Sequence, residues 1–154
     1  SWRYQPLPGT QDDGTIDWSV FKIWIGEARE ILRKNRRLSM GDYSIGELLS
    51  SAPAGDDGAW PHAAIRDVID ELASDDLEQG ICLGLLNSEG VTTRDPKEGG
   101  ARERTTAEKF QAWAEIVSGQ WGRTAAMLRR LRDSYRGRAG DEDRRTDLRS
   151  ELLD

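Results

Sequence analysis

The stretch RDVIDELASDDLEQGICLGLL, residues 66–86, decides the fold class because it contains two helical periods separated by one break. From Val68 to Leu72, apolar residues recur at the spacing of a helix that is buried on one face. The polar run Ser74-Asp75-Asp76 then interrupts this period. The stretch therefore predicts a helix that ends near Ala73 and another that covers roughly residues 76–86.

The second of these helices has two further signals. Asp75 and Glu78 have the spacing of a capping box, although such a box prefers Ser or Thr at its first position. Gly80 and Gly84 are four residues apart, so both face the same side of the helix. Each costs about 1 kcal/mol relative to Ala, which tertiary packing must offset. We therefore expect a neighbouring helix to approach closely at these glycines.

Working outward, the same periodicity predicts four more helices. The only β-branched run, Val91-Thr92-Thr93, is too short to predict a strand. The predicted helices begin near Asp17 as N-cap, near Ser44, at Pro61 as first helical residue, near Asp76, near Thr105 and near Thr124; the second ends at Ser51 and the fifth at Val117.

These elements predict an all-α fold, a single domain of about six helices packed as an irregular bundle. Residues 1–14 are predicted to form an extended lead-in, and residues 15–138 the helical domain. Residues 139–154 form a charged C-terminal tail, either frayed or folded as a short helix. The chain of 154 residues is about the length of one domain.

Composition excludes several classes of protein. Charged residues make up 32% and apolar residues 36%, and six Trp residues supply large anchors for a modest core. No apolar run approaches the ~18 residues of a membrane span. The first residues, SWRYQPLPGT, contain neither an initiator Met nor a signal peptide. They suggest a piece of a larger protein or a trimmed start, and a cytoplasmic location fits best.

Catalytic and metal-binding patterns are incomplete. Cys82 is the single cysteine and lies in an apolar context, which is typical of a core thiol. His62 is the sole histidine and stands at a helix start, so capping is its expected role. One Cys and one His cannot form a usual structural zinc site. No phosphate-binding loop or dinucleotide fingerprint is present. We therefore expect a non-enzymatic chain without cofactor or metal.

Charge is distributed unevenly along the chain, whose net charge is −6. Residues 42–78 contain ten acidic residues and one basic residue, Arg66, so this segment carries −9. Residues 123–138 contain six arginines and one acid, Asp133, and carry +5. Such asymmetry can be satisfied within the fold or by a partner. The basic helix could also contact nucleic-acid phosphates, although the acidity of the whole chain weakens that alternative.

The connection GLLNSEGVTTRDPKEGGARER, residues 84–104, is the most site-like feature. Its beginning is typical of a helix stop and its end of a helix start, where free amides attract anions. Arginines near that start add positive charge, so a partner's carboxylate or a phosphate would suit it. The predicted partner- or anion-binding residues are Asn87, Thr92, Arg94, Arg102, Arg104 and Arg123.

The order of motifs along most of the chain resembles a C-terminal helical module of long uncharacterised bacterial proteins. The resemblance rests on PGTQDDGTID (8–17), GDYSIGELLSSAP (41–53), DGAWP (57–61), RDVIDELASDDLEQGICLGLLNSEGVTTR (66–94), GGARER (99–104) and WGRTAAMLRRLRDSY (121–135). In that pattern Pro often stands where this chain has Gly122, a change that would loosen the start of the sixth helix. The group has no established activity, so the resemblance implies no catalytic residues.

The sequence thus predicts a non-catalytic protein-interaction or scaffolding module of a larger bacterial protein, and the context of the resemblance suggests a role in a regulatory or defence system. Its partner would be another protein or another domain of the same protein, not a membrane. The alternatives are a nucleic-acid-binding domain that uses the basic helix, and an enzyme domain completed by flanking segments.

Overall fold

The computed structural model describes residues 6–88 and 100–153. Within these ranges it contains six α-helices and one isolated antiparallel bridge between Thr10 and Ile16, which confirms the predicted all-α class. The chain divides into two compact units, Ser1–Glu89 and Gly90–Asp154. The helices are α1 Trp18–Lys34, α2 Leu38–Leu49, α3 Ala63–Leu72 and α4 Asp75–Ser88 in the first unit, and α5 Ala101–Val117 and α6 Gly122–Leu153 in the second.

The segment before α1 folds back onto the start of that helix. Asp17 is the N-cap, as predicted, and its side chain accepts the amides of Ser19 and Val20 at 3.0 and 3.2 Å. The amide of Asp17 donates to the carbonyl of Gly9 at 2.8 Å. Gly9 has a φ of +97° and Leu7 is buried. Of the predicted lead-in, residues 1–14, the part that the structure describes contains turns and packs back onto the start of α1.

α2 and α4 lie side by side in parallel, with α3 as the connection between them. Near the two helix starts, the Ser39 hydroxyl donates to the Asp76 carboxylate at 2.9 Å. Near the two helix ends, a Cβ added to Gly84 would lie 2.5 Å from the Ser50 Oγ. Both helices therefore end at the same end of the pair.

Glycines stand where α2 and α4 cross, so the two helix backbones can approach each other closely there. A Cβ on Gly46 would lie 2.1 Å from the carbonyl oxygen of Leu77, and a Cβ on Gly80 would lie 2.1 Å from that of Tyr43. Both distances are far shorter than carbon–oxygen van der Waals contact. The expected close approach at Gly80 is therefore confirmed, and Gly46 is the residue on α2 that makes it possible.

α2 begins at Leu38, six residues before the predicted start at Ser44. Two tertiary contacts hold its first turns. Gly41 lies under Leu32 of α1, so closely that a Cβ there would come within 2.3 Å of the Leu32 side chain. Asp42 is buried and pairs with Arg29 of α1. Neither contact leaves a periodic apolar signal, which is why the sequence pattern missed this turn.

In the first unit, the starts of α3 and α4 differ from their predictions by two residues and one residue. His62 is the N-cap of α3, with its Nδ1 accepting a first-turn amide at 3.1 Å, so the prediction that Pro61 is the first helical residue is wrong. At the start of α4, the Ser74 hydroxyl oxygen accepts the amide of Leu77 at 3.2 Å. Ser74 is therefore the capping residue rather than Asp75, in line with the preference for a hydroxyl there.

In the second unit α5 and α6 are antiparallel. The rings of Phe110 and Tyr135 stack with centroids 5.5 Å apart. A Cβ on Gly100 would lie 2.3 Å from the Ala139 carbonyl oxygen, so the two helices also approach closely at the start of α5. The core between them contains Ala107, Phe110, Ala114, Val117, Leu128, Leu131, Tyr135 and Ala139.

Both helices of the second unit are longer than predicted. α5 begins at Ala101 instead of Thr105, and α6 begins at Gly122 instead of Thr124 and continues unbroken to Leu153. Residues 139–153 are therefore a continuation of α6. Ion pairs three residues apart, Arg145–Glu142 among them, support this charged part, which has few apolar residues. A pattern search for apolar periods overlooks a helix of that composition.

Candidate functional site

The six predicted binding residues do not form one described site. Thr92 and Arg94 lie outside the described residues. Asn87 is exposed in the last turn of α4, in the first unit. Arg102 and Arg104 are exposed in the first turn of α5, and Arg123 is half-buried at the start of α6 and has an interaction within the protein.

The start of α5, predicted to attract an external anion, is occupied by a carboxylate of the same unit. Asp143 of α6 accepts the amide of Gly100 at 2.9 Å and also accepts a hydrogen bond from the Arg104 guanidinium. The Gly100 amide, with Arg104 adding to it, holds the pKa of Asp143 below its usual value. The physical expectation of an anion at this helix end is met, but by an internal group. Arg102, in the same turn, is exposed as well.

The ends of α2 and α4 enclose a polar cavity of about 190 Å³. Asn87 is the predicted binding residue, among those that the structure describes, that lines it. Three serine hydroxyls and one carboxylate surround the cavity, together with two apolar positions that form part of its wall. Its lining residues are Glu47, Leu48, Ser50, Ser51, Gly84, Asn87 and Ser88.

The three hydroxyl groups at this cavity all donate back into their own helices. Ser50 Oγ donates to the Glu47 carbonyl at 2.6 Å, Ser51 Oγ to the Leu48 carbonyl at 2.9 Å, and Ser88 Oγ to the Leu85 carbonyl at 2.9 Å. With its proton used in this way, each oxygen offers the cavity lone pairs rather than a donor. The cavity therefore presents hydrogen-bond acceptors.

Arg66 is the residue that sequence reasoning missed. Its side chain is 1% exposed, and the guanidinium donates to both carboxylate oxygens of Asp57 at 2.8 and 2.9 Å. It also donates to the carbonyls of Pro61 and Ala59 at 2.6 and 2.8 Å. A Cβ on Gly55 would lie 2.7 Å from this group. The loop before α3 is thus wrapped around one buried arginine, which has a structural role.

This arrangement sets the charge of Asp57. Hydrogen bonds from the Arg66 side chain, and then from the Ala59 amide, hold the pKa of Asp57 well below its usual range. The signal for Arg66 was present in the sequence, since it is the only cation among ten acids in residues 42–78. Its burial could not be read from that signal because a lone charged residue is usually solvated.

A second internal pair stabilises the contact between α1 and α2. Arg29 donates to both oxygens of Asp42 at 2.8 and 2.9 Å, and the Ser74 hydroxyl donates to the same carboxylate at 2.7 Å. Burial raises the pKa of Asp42, but the hydrogen bonds from Arg29 and Ser74 outweigh burial and hold it below its ordinary value. Part of the acidic segment is therefore neutralised inside the first unit.

Some arginines of the basic helix, residues 123–138, make side-chain contacts within their own unit. Arg132 donates to Gln111 of α5 and to Asp133, and the Arg138 guanidinium lies 5.6 Å from the centre of the Tyr135 ring. Arg129 and Arg136 are exposed. Among the arginines of this helix, Arg132 and Arg138 therefore have contacts within their own unit, whereas Arg129 and Arg136 present their charge to solvent.

The single histidine has a structural role, and the single cysteine lies within a helix. The His62 ring stacks on Trp18 with centroids 4.4 Å apart while its Nδ1 caps α3. Cys82 of α4 is half-buried. A core thiol would be fully enclosed, so Cys82 differs from the predicted core cysteine. Across the parts of the chain that the structure describes, no group of three or more His, Cys, Asp or Glu side chains is arranged to hold a metal ion.

The apolar surface of α1 is wider than the part of it that is buried. Phe21 and Ile25 point into the core of the first unit. On a face roughly 130° away around the helix, Val20, Ile23 and Ile31 are 48%, 61% and 62% exposed. We call these three residues the outer stripe of α1.

Comparison of the chain with protein-family models, with curated proteins and with solved structures found no match. Among the helices in the described ranges, none is both long enough and apolar enough to cross a membrane.

Proposed function

We propose that this chain is a non-catalytic interaction module of a larger bacterial protein, acting in the cytoplasm in a regulatory or defence system. The observation that carries the proposal is the outer stripe of α1. Isolated apolar residues are common on protein surfaces, but an apolar helix surface that continues beyond its buried part is typical of a docking site. Its partner is another protein or another domain of the same protein.

Charge at the end of the stripe indicates the chemistry of the partner. Lys34, Arg36 and Arg37 follow the stripe and are exposed, and no hydrogen bond or ion pair involves their side chains among the described residues. Arg33, by contrast, is paired with Glu30 at 2.6 Å. A partner helix with an apolar face and acidic residues at one end would complement this surface.

Self-association through α1 is the less favourable arrangement. Glu27 lies between Ile23 and Ile31 on the same face of the helix and is exposed. Two α1 helices packed antiparallel about the middle of the stripe would bring Glu27 against its copy. Like charges in that position are destabilising. A different partner, neutral or basic opposite Glu27, avoids this cost.

The test uses a synthetic amphipathic helical peptide with leucines at four-residue spacing and glutamates at one end. We expect it to bind the protein, and we expect Ile23→Ser with Ile31→Ser to weaken binding at least about tenfold, because two buried apolar side chains are lost. Met40→Ser is the matched control, since Met40 is 78% exposed and lies on α2. Binding can be measured by fluorescence anisotropy.

Two results would contradict the proposal. One is equal binding of the double variant and the wild-type protein. The other is equal binding of a peptide in which lysines replace the glutamates, since the cations at the end of α1 would then have no role. The predicted roles of Asn87, Arg102 and Arg104 are a separate matter, and substitution of these residues tests them directly.

A further inference from the structure

The cavity at the ends of α2 and α4 is an electronegative site. The two helices are parallel, so their carboxyl-terminal ends meet at this cavity. Each such end carries a partial negative charge of roughly half an elementary charge from the helix dipole. The carboxylate of Glu47 adds a full negative charge, and none of the lining residues that the structure describes is cationic. The helix arrangement and the side chains thus favour the same sign of ligand charge.

The hydrogen-bonding groups are biased in the same direction. The hydroxyls of Ser50, Ser51 and Ser88 have committed their protons to helix carbonyls, so only their lone pairs face outward. In the part of the chain that the structure describes, the side chains of Glu47 and Asn87 have no hydrogen-bond or ion-pair partner. The Asn87 amide has an acceptor oxygen as well as N–H donors, so a ligand with several N–H donors and a positive charge matches most of this set.

We propose that this cavity binds a guanidinium or alkylammonium group. The volume of about 190 Å³ is smaller than a drug-sized pocket, which begins at roughly 300 Å³. It suits a single cationic head with part of its methylene stem, and Leu48 provides apolar contact for such a stem. A tightly coordinated metal ion fits less well, because the described lining residues include a single carboxylate, that of Glu47.

The site is distinct from the outer stripe of α1. The outer stripe would bind an apolar surface with acidic residues, whereas the cavity would bind a cation. The two sites share no residue. The cation could come from an arginine or lysine side chain of a partner protein or from a free polyamine. The chemistry of recognition is the same in both cases, so the experiment includes one probe for each source.

The experiment follows backbone amide chemical shifts of the isotope-labelled protein during titration with n-butylguanidinium. We expect saturable shifts at Ser51, Gly84 and Asn87 with a Kd of about 1–10 mM, which is reasonable for so small a ligand. Added salt should weaken binding because the site is partly open to solvent. Tetramethylammonium has the charge without the N–H donors, and we expect it to bind at least about tenfold more weakly.

Glu47→Gln preserves the shape of the side chain and removes its charge. We expect it to lower the affinity for n-butylguanidinium about tenfold or more, because the charge-assisted hydrogen bond is lost. Glu71→Gln is the matched control, since Glu71 is an exposed acid of the same unit and does not line the cavity. The dispersion of the amide spectrum shows whether each variant is folded. Ser51→Ala, which removes one exposed acceptor, provides a second variant with an expected loss of several-fold.

The source of the cation is decided by comparing the peptide Ac-Gly-Arg-Gly-NH₂ with spermidine. Tighter binding of the peptide indicates a partner protein, and tighter binding of spermidine indicates a free amine. Absence of shifts at the cavity with every probe up to about 50 mM would overturn the proposal. Equal affinity for tetramethylammonium, or an unchanged affinity in Glu47→Gln, would overturn it as well.

Discussion

Replacing Gly46 with alanine should push α2 and α4 apart. The new Cβ would lie 2.1 Å from the Leu77 carbonyl oxygen, 2.9 Å from the Ile81 nitrogen and 3.0 Å from the Gly80 Cα. All three atoms belong to the backbone of α4, so none can turn aside as a flexible side chain would. Relief of the contact therefore requires the helices to separate by about 1 Å at their crossing, which weakens dispersion contacts along the interface.

The expected change in the free energy of unfolding on Gly46→Ala is the difference between two opposing effects. Overpacking of this kind costs about 3 kcal/mol, at the upper end of the usual range because backbone must move. Alanine is better than glycine in a helix by about 1 kcal/mol, which offsets part of the loss. The expected net decrease in the free energy of unfolding is about 2 kcal/mol. For a chain of this size, the corresponding fall in Tm is about 4–8 °C.

The assay is urea unfolding followed by far-ultraviolet circular dichroism and by tryptophan fluorescence. Gly26→Ala is the matched control, since Gly26 lies within α1 and an added Cβ would meet nothing within 4 Å. The same substitution there should raise stability by about 1 kcal/mol. The two variants therefore have opposite expected signs although their chemistry is identical.

Either of two outcomes would refute the reasoning. If Gly46→Ala were as stable as the wild-type protein or more so, the parallel pair could not depend on the glycine contact. If Gly46→Ala combined with Gly80→Ala lost the full sum of the two single effects, the sites would be independent. We expect less than the sum, because one substitution already separates the helices that the other would separate.

Three further predictions concern the internal pairs and the basic helix. Asp42→Asn should lower the free energy of unfolding by about 3 kcal/mol at neutral pH, because it leaves Arg29 without its buried counter-charge. Since the pKa of Asp42 is lowered in the folded state, this difference should be full above the ordinary Asp pKa and disappear as pH falls through the folded-state value, which acid-range thermal melts can measure. His62→Ala should cost about 1 kcal/mol through loss of the α3 cap, whereas His62→Asn should retain most of the stability; equal losses would exclude the capping role. Arg129→Ala with Arg136→Ala should leave the mobility of a duplex DNA or RNA probe unchanged in a gel-shift titration, and a clear loss of salt-dependent binding would instead favour a nucleic-acid interface.

The sequence pattern could indicate which segment of the chain binds a ligand, but not which side chains of that segment come together. The sequence pattern located a binding loop between α4 and α5, and the structure assigns Asn87 to a cavity and Arg104 to an internal pair with Asp143. Asp143 is 39 residues from Arg104 in sequence. Such pairing depends on which faces of antiparallel helices meet, and charges so far apart carry no mutual signal in a single sequence.

The amino-acid sequence by itself determined the helical class. Apolar residues at three- and four-residue spacing identified six helices, and local chemistry identified the Asp17 cap and the break at Ser74, because both depend on neighbouring residues. The spacing of Gly80 and Gly84 indicated a close helix contact. These features are local, and their physical cause lies within one or two helical turns.

Which polar residues are buried, and which partners they pair with, depends on the tertiary structure. It buried Arg66 in a shell of carbonyls and a carboxylate, extended α2 to Leu38 through Asp42, and aligned α2 with α4 in parallel. A charged residue has no preference for burial until specific partners surround it, because desolvation opposes burial unless each hydrogen bond is satisfied. Only the folded chain supplies those partners, and only the parallel pair brings two helix ends to one cavity.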